Sequence, residues 1–180
     1  GGAGGFRRAW RQRPLGRLLR VDAGGNVVVA LEGLTISNGP AFTAGGKRLY
    51  IADSPRREIY AVEIAADGAT TDRQVFVRMG DKEGYPDGMA VDVEDHLWVA
   101  HYDGWRISRF DPSGKCVASV RFPVARVTAC AFGGHEMRTL YVTTASDGLS
   151  VEDRRRQPLA GHLFAVALNV AGLPVSPCAL

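Results

Sequence analysis

Three short apolar runs repeat along the chain. Leu49-Tyr50-Ile51-Ala52-Asp53, Leu97-Trp98-Val99-Ala100-His101 and Leu140-Tyr141-Val142-Thr143-Thr144 are versions of one segment, set 48 and 43 residues apart. They are rich in β-branched and aromatic residues and too short for helices, so each predicts a strand. Each follows another apolar segment, at 38–42, 87–91 and 127–132, and precedes a further strand, at 58–64, 105–110 and 162–168. The first two units add a fourth strand, at 73–77 and 115–122. Turn formers punctuate the joints, among them Ala44-Gly45-Gly46, Asp67-Gly68, Asp111-Pro112-Ser113-Gly114 and Phe132-Gly133-Gly134.

Four short strands per unit, with a period in the forties, predict the blades of a β-propeller. A two-sheet sandwich also spaces short strands closely, but three aligned units favour the propeller. Outside the first twenty residues no stretch sustains the apolar spacing of an amphipathic helix. Segments 18–22 and 26–30 match the third and fourth strands of an earlier blade, and the third unit has no fourth strand before Pro174 and Pro177. The expected fold is therefore all-β: an incomplete propeller of two full four-stranded blades and two partial ones. Three regions follow: a leader over 1–15, the partial propeller over 16–174 and a tail over 175–180. The chain starts with Gly1 rather than Met, and together with the blade count this reads as a portion of a longer propeller. Open strand edges in such a chain invite self-association.

Charge changes the picture only locally. The formal net charge is +3, yet the first twenty residues hold Arg7, Arg8, Arg11, Arg13, Arg17 and Arg20 with no acid, so the remainder is net negative. The body gives no reason to expect nucleic-acid binding, and the leader reads as a solvated or non-native tail. At 46% hydrophobic and 23% charged residues the composition is that of a globular protein, with no apolar run long enough to span a membrane. Cys116, Cys130 and Cys178 form no CxxC pair and no metal-finger spacing. Cys130 reads as a small core residue, and a reducing, cytoplasmic setting is expected.

Two positions carry candidate chemistry. Asn38 in Ser37-Asn38-Gly39-Pro40 and Asp87 in Pro86-Asp87-Gly88-Met89 open equivalent strands 49 residues apart. The first strand of a blade lines the central channel, so both side chains should point at one axial site. A neutral and a charged oxygen suit Ca²⁺ first, then Mg²⁺ or Mn²⁺, with Zn²⁺ less favoured. Thr128 is the counterpart in the third unit and offers only a hydroxyl. The competing reading makes Asn38-Gly39 and Asp87-Gly88 ordinary turn dipeptides. Asp53-Ser54 reads as a turn rather than a second metal contact, and Asp103-Gly104 as a hairpin turn. His101, where a strand meets a loop, is a weaker substrate-facing candidate. His96, five residues earlier, should face the other side of a regular strand. Glu152 to Arg156 reads as a solvated loop. No phosphate loop follows the N-terminal glycines, and no Gly-x-Ser-x-Gly elbow is present.

The chain from about residue 16 to 174 resembles the C-terminal half of the senescence-marker-protein/gluconolactonase/regucalcin family of six-bladed propellers. The resemblance lies in Ile36-Ser37-Asn38-Gly39, Ile51-Ala52-Asp53-Ser54, Pro86-Asp87-Gly88-Met89, Leu97-Trp98-Val99-Ala100, the run from Arg109 to Lys115, Cys130-Ala131-Phe132-Gly133-Gly134 and Leu140-Tyr141-Val142-Thr143. It implies a divalent metal held by Asn38 and Asp87 and the hydrolysis of sugar lactones. The metal would polarise the lactone carbonyl and acidify water, with Asp87 also handling the proton as catalytic base. A non-catalytic cation-binding or scaffold propeller is the alternative. The resemblance also implies a third ligand, a Glu near the start of the full chain, and a substrate-contacting Arg-x-Asn-Asp-Gly segment. Neither has a match here; the first acid is Asp22.

Overall fold

The computed structural model describes residues 13–71 and 73–174. The first twelve residues of the Arg-rich leader, the tail over 175–180 and Cys178 lie outside the described residues. Thirteen strands form four antiparallel sheets in chain order. The first is two-stranded, β1 (Gly16–Val21) and β2 (Val27–Leu34). The second is a four-stranded meander of β3 (Ser37–Phe42), β4 (Arg48–Asp53), β5 (Glu58–Glu63) and β6 (Gln74–Arg78). The third repeats it with β7 (Tyr85–Val91), β8 (Leu97–Tyr102), β9 (Arg106–Phe110) and β10 (Cys116–Arg121). The fourth stops at three strands, β11 (Val127–Gly133), β12 (Thr139–Thr144) and β13 (Phe164–Ala167). The protein is thus a β-propeller in part, two full blades between two partial ones, as the repeat pattern predicts.

Hydrophobic alternation explains how the sheets stack. Successive side chains on a strand point to opposite faces. On β4, Leu49 and Ile51 join Leu34, Tyr60 and Val62 in the core between the first and second sheets. Tyr50 and Ala52 face the other way, into a core shared with Met89, Val91, Leu97 and Val99. On β8, Leu97 and Val99 serve that same core, while Trp98 and Ala100 pack with Ile107, Val127, Leu140 and Val142 against the fourth sheet. Both strands are buried on both faces, hence their unbroken apolar runs. β12 is buried on one face only: Leu140 and Val142 are fully covered, whereas Tyr141 is 39% exposed. Thr139 and Thr143 share the face of Tyr141, against which no further sheet lies among the described residues. At the other end Val21, Val27, Val28 and Val29 are exposed on the first sheet.

One side-chain device recurs in the hairpins. Asp22, Asp92 and Asp111 each use Oδ1 to accept from the backbone N–H two and four residues on, at 2.9–3.1 Å. This closes the β1–β2, β7–β8 and β9–β10 turns as Asx turns. His96 belongs to such a turn, so the expectation that it lies on a strand opposite His101 does not hold. Asp92, fully buried, also accepts from Trp98 Nε1 and Arg109 Nε, both at 2.8 Å. Asp103 sits at φ 60° in the β8–β9 turn, as expected.

The segment expected as a charged loop is instead a short helix, α1 (Val151–Arg156). Ser150 caps it by accepting from the Asp153 N–H at 3.0 Å, and Glu152 and Asp153 precede Arg154 to Arg156 in the order the helix dipole favours. Six residues are too few to show a helical period. Among the described residues no helix is long and apolar enough to cross a membrane.

The channel-side strands approach closely. A Cβ on Gly88 of β7 would lie 2.5 Å from Ala129 Cβ and 2.8 Å from Ala129 Cα on β11. Gly39 of β3, at φ +98°, faces Met89 Sδ of β7. We therefore expect Gly88→Ala to destabilise the chain by about 1–3 kcal/mol through overpacking. Urea denaturation should show part of the loss recovered on adding Ala129→Gly.

Candidate functional site

Asn38 and Asp87 are strand residues, not turn residues, and a repeated irregularity aims them. In β3 the register against β4 slips between Asn38 and Ala41, paired with Ala52 and Tyr50. In β7 it slips between Pro86 and Met89, paired with His101 and Val99. β11 slips between Val127 and Ala129, paired with Thr144 and Thr143. Each inner strand carries one residue more than its partner, which is a β-bulge. A bulge breaks the strict alternation of faces, so Asn38 and Asp87 escape the interfaces their neighbours fill. The ladder makes Thr128 their structural counterpart, but its hydroxyl lies 2.8 Å from Thr143 Oγ1 instead of joining them.

Both residues line one cavity of about 100 Å³, together with Ile36, Ser54, Tyr85, Pro86 and Tyr102. Ser54 lies between them. Its Oγ is 2.7 Å from Asn38 Nδ2 and 2.6 Å from the carbonyl oxygen of Pro86. The two tyrosines are covered by cations: the Arg57 guanidinium sits 4.5 Å above the Tyr85 ring and that of Arg126 5.2 Å above Tyr102. Both arginines are ion-paired, Arg57 with Asp81 and Arg126 with Asp103.

Asp87 has no such partner. Burial pushes its carboxyl up to about 6, and only the Gly88 N–H opposes the shift. Among the described residues no cationic side chain forms an ion pair with it. A half-buried carboxylate without a counter-charge is a poor structural element and a good seat for a cation. With Asn38 it gives two hard oxygen donors, a set that fits a Ca²⁺-like ion. No group of three or more His, Cys, Asp or Glu that could hold a metal ion is present among the described residues.

The other candidates lie elsewhere. Asp53 is fully buried and accepts from the N–H groups of Thr35 and Ile36 at 2.9 and 3.2 Å, tying the β2–β3 connection to the end of β4. His101 is fully buried, so it does not face substrate; its Nδ1 lies 2.7 Å from Glu83 O, and burial pushes it down to about 4, leaving it neutral. Cys130 is a core thiol, as expected, pushed up to about 12 by burial. It borders a larger cavity of about 660 Å³ beside Met89, Val91 and Phe132, and no other titratable side chain among the described residues lines it. Ser54, Tyr85 and Tyr102 were missed as site residues. Ser54 has the look of a turn residue, and the signal for Tyr102 was the alternation of β8, which turns it away from the face of His101.

An incomplete β-propeller with an oxygen-donor pair at the start of two inner strands defines the class of protein. The model of the SMP-30/gluconolactonase/LRE-like region matches residues 2–146, and the chain belongs to this family. Chicken regucalcin is 37% identical over 177 residues, covering 97% of this chain and 59% of that protein. A 6-deoxy-6-sulfogluconolactonase from Pseudomonas putida is 36% identical over 163 residues, covering 90% and 56%. Among solved structures, the calcium-binding protein regucalcin from Agrobacterium tumefaciens superposes with a TM-score of 0.84 at 27% identity, covering 92% of this chain and 56% of that one. The chain thus spans just over half the length of the relatives it matches.

The raised Asp87 carboxyl has a consequence for stability. Its folded value of about 6 exceeds the ordinary value near 3.8. The neutral acid is the favoured buried form, so its contribution is fully present below about pH 4 and lost as pH rises through about 6. In metal-free protein, Asp87→Asn should raise stability at pH 7.5 by about 1–2 kcal/mol, allowing for partial solvent screening, and change little at pH 4. Denaturation curves at the two pH values check this.

Proposed function

We propose that Asn38 and Asp87 hold a divalent cation and that the reaction served by the site is hydrolysis of a sugar lactone. The observation that carries the reading is the half-buried Asp87 carboxylate, which no cationic side chain pairs among the described residues, lining one cavity with Asn38. Family membership and the relative named 6-deoxy-6-sulfogluconolactonase support the substrate class. Oxygen-only donors favour Ca²⁺, with Mg²⁺, Mn²⁺ and Zn²⁺ as alternatives, and the neighbour described as a calcium-binding protein agrees with that order. The bound cation would supply Lewis-acid polarisation of the lactone carbonyl and lower the pKa of water.

The chain's own part is proton handling and enclosure. Lactone hydrolysis adds water to the carbonyl carbon, breaks the ring C–O bond and leaves the ring oxygen as a hydroxyl. One proton must travel from the water to that oxygen. Asp87 in its ionised form accepts it and then returns it, as a general base followed by a general acid. Tyr85 and Tyr102 wall the cavity and limit access of bulk solvent. Two protein ligands leave most of the coordination shell to water, so Ca²⁺ binding should be weak, on the order of 10⁻⁴ M or weaker.

Ca²⁺ titration followed by NMR should show one site, abolished by Asp87→Ala. Glucono-lactone turnover with added Ca²⁺, Mn²⁺ or Zn²⁺ should exceed background in the wild type and return to it in Asp87→Ala. Equal rates in the two would remove the hydrolase reading, and cation uptake without turnover would instead define a cation-binding module.

We further infer that the separate chain self-associates through the faces of its end sheets, where Val27, Val28, Val29 and Tyr141 are exposed. Light scattering should report species larger than 19.3 kDa. A monodisperse monomer with a sharp cooperative melt would count against this.

A further inference from the structure

We propose that Ser54 is a positioning residue that decides which atom of Asn38 faces the cavity. The proposal rests on the reading of Asn38 and Asp87 as cation ligands and adds the device that makes Asn38 competent for that role. Ser54 is 7% exposed and begins the 3-10 turn that follows β4; its backbone N–H donates to Ile36 O at 3.0 Å, which fixes the residue in place.

The hydrogen-bond chemistry of its hydroxyl has one solution. The Pro86 carbonyl, 2.6 Å away, can only accept, so the single Ser54 hydrogen is donated there. The Ser54 oxygen is then left to accept, and Asn38 must present its NH₂ group across the 2.7 Å contact. The Asn38 carbonyl oxygen is thereby held on the side of the amide away from Ser54, and Asn38 lines the same cavity as Asp87. The reversed amide would set two acceptor oxygens 2.7 Å apart with no hydrogen between them, and would point N–H donors away from Ser54. That reversed state is what a free amide near an unpaired carboxylate prefers, because the carboxylate accepts from it. Ser54 therefore holds Asn38 in the orientation that a cation needs and the empty pair disfavours.

The same hydroxyl ties the two ligand strands together. Pro86 directly precedes Asp87, so the relay from Asn38 through Ser54 to Pro86 runs from β3 to β7 across the end of β4. The peptide before one ligand and the side chain of the other answer to a single oxygen.

The test uses the full chain with Ser54→Ala, Ser54→Thr and Asn38→Asp. Asn38→Asp presents oxygen in either orientation, so the ligand no longer depends on the relay, and it sets a second acceptor against Ser54 Oγ, which Ser54→Ala relieves. In metal-free wild type the Asn38 side-chain NH₂ should exchange slowly with solvent by ¹⁵N NMR, and Ser54→Ala should lose that protection while Ser54→Thr keeps it. Ca²⁺ titration should show affinity reduced about 10–100-fold by Ser54→Ala, the range seen for residues that orient metal ligands, and restored by Ser54→Thr. In the Asn38→Asp background the same Ser54→Ala change should cost less than about threefold. An equal loss in both backgrounds would mean that Ser54 acts only as strand packing, which overturns the proposal. Unchanged affinity in a folded Ser54→Ala chain overturns it as well. A wild type that takes up no Ca²⁺ overturns the ligand reading, and the purpose assigned to Ser54 with it; the exchange measurement then judges the amide orientation separately.

Discussion

Two-sided burial of the second strand in each complete blade is the constraint on which the rest depends. β4 and β8 feed alternate side chains into different cores, so each sheet is gripped by its neighbours on both faces. Fully covering an aliphatic side chain is worth about 1.5–3 kcal/mol, and Ile51, Leu97, Val99, Leu140 and Val142 are all covered to within about 1%. Each sheet thus shares its core with the next. The stacking also sets where the inner strands run. With the sheets clamped, β3, β7 and β11 come so close that Gly88 touches Ala129 across the gap.

The candidate site is a by-product of that crowding, sharpened by bulges. A regular inner strand would commit alternate residues to one of the cores. The extra residue in β3 and in β7 breaks the alternation where Asn38 and Asp87 stand. Gly88 then permits a close approach that a side chain would block, and Gly39 takes a φ of +98° that favours glycine. Electrostatics adds the asymmetry. Arg57 and Arg126 stand nearby, yet each is occupied by its own aspartate and by a tyrosine face. Half-buried Asp87 has no ion-paired cation among the described residues, and it lines one cavity with Asn38.

Much of this was legible from residue order. Repetition of the Leu-aromatic-β-branched run exposed the blades, because two-sided burial forces an apolar residue at every position and leaves a conspicuous signal. The Asn38/Asp87 correspondence followed from the same alignment, and the register slips agree with it. Other features had no local signature. Six residues with mixed charges cannot show a helical period, so α1 was hidden; its formation depends on Ser150 reaching the Asp153 amide. His101 has the look of a loop-facing residue at a strand end. It is instead sealed by Gly104, whose Cβ would fall 2.5 Å from His101 Cβ, and by the Glu83 backbone.

Periodicity and turn chemistry were enough for the class of fold, the number of blades and the pair of oxygen-bearing residues, since these are properties of spacing along one chain. The cavity itself, the orientation of the Asn38 amide and the raised Asp87 carboxyl arise from groups brought together across long separations. Ser54 is 16 residues from Asn38 and 32 from Pro86, and no spacing rule joins the three. A hydroxyl has one hydrogen, and which neighbour receives it is settled only when β3, the end of β4 and β7 are packed against each other. The pattern of apolar and polar positions thus named the candidate residues, while packing brought them to one cavity with Ser54.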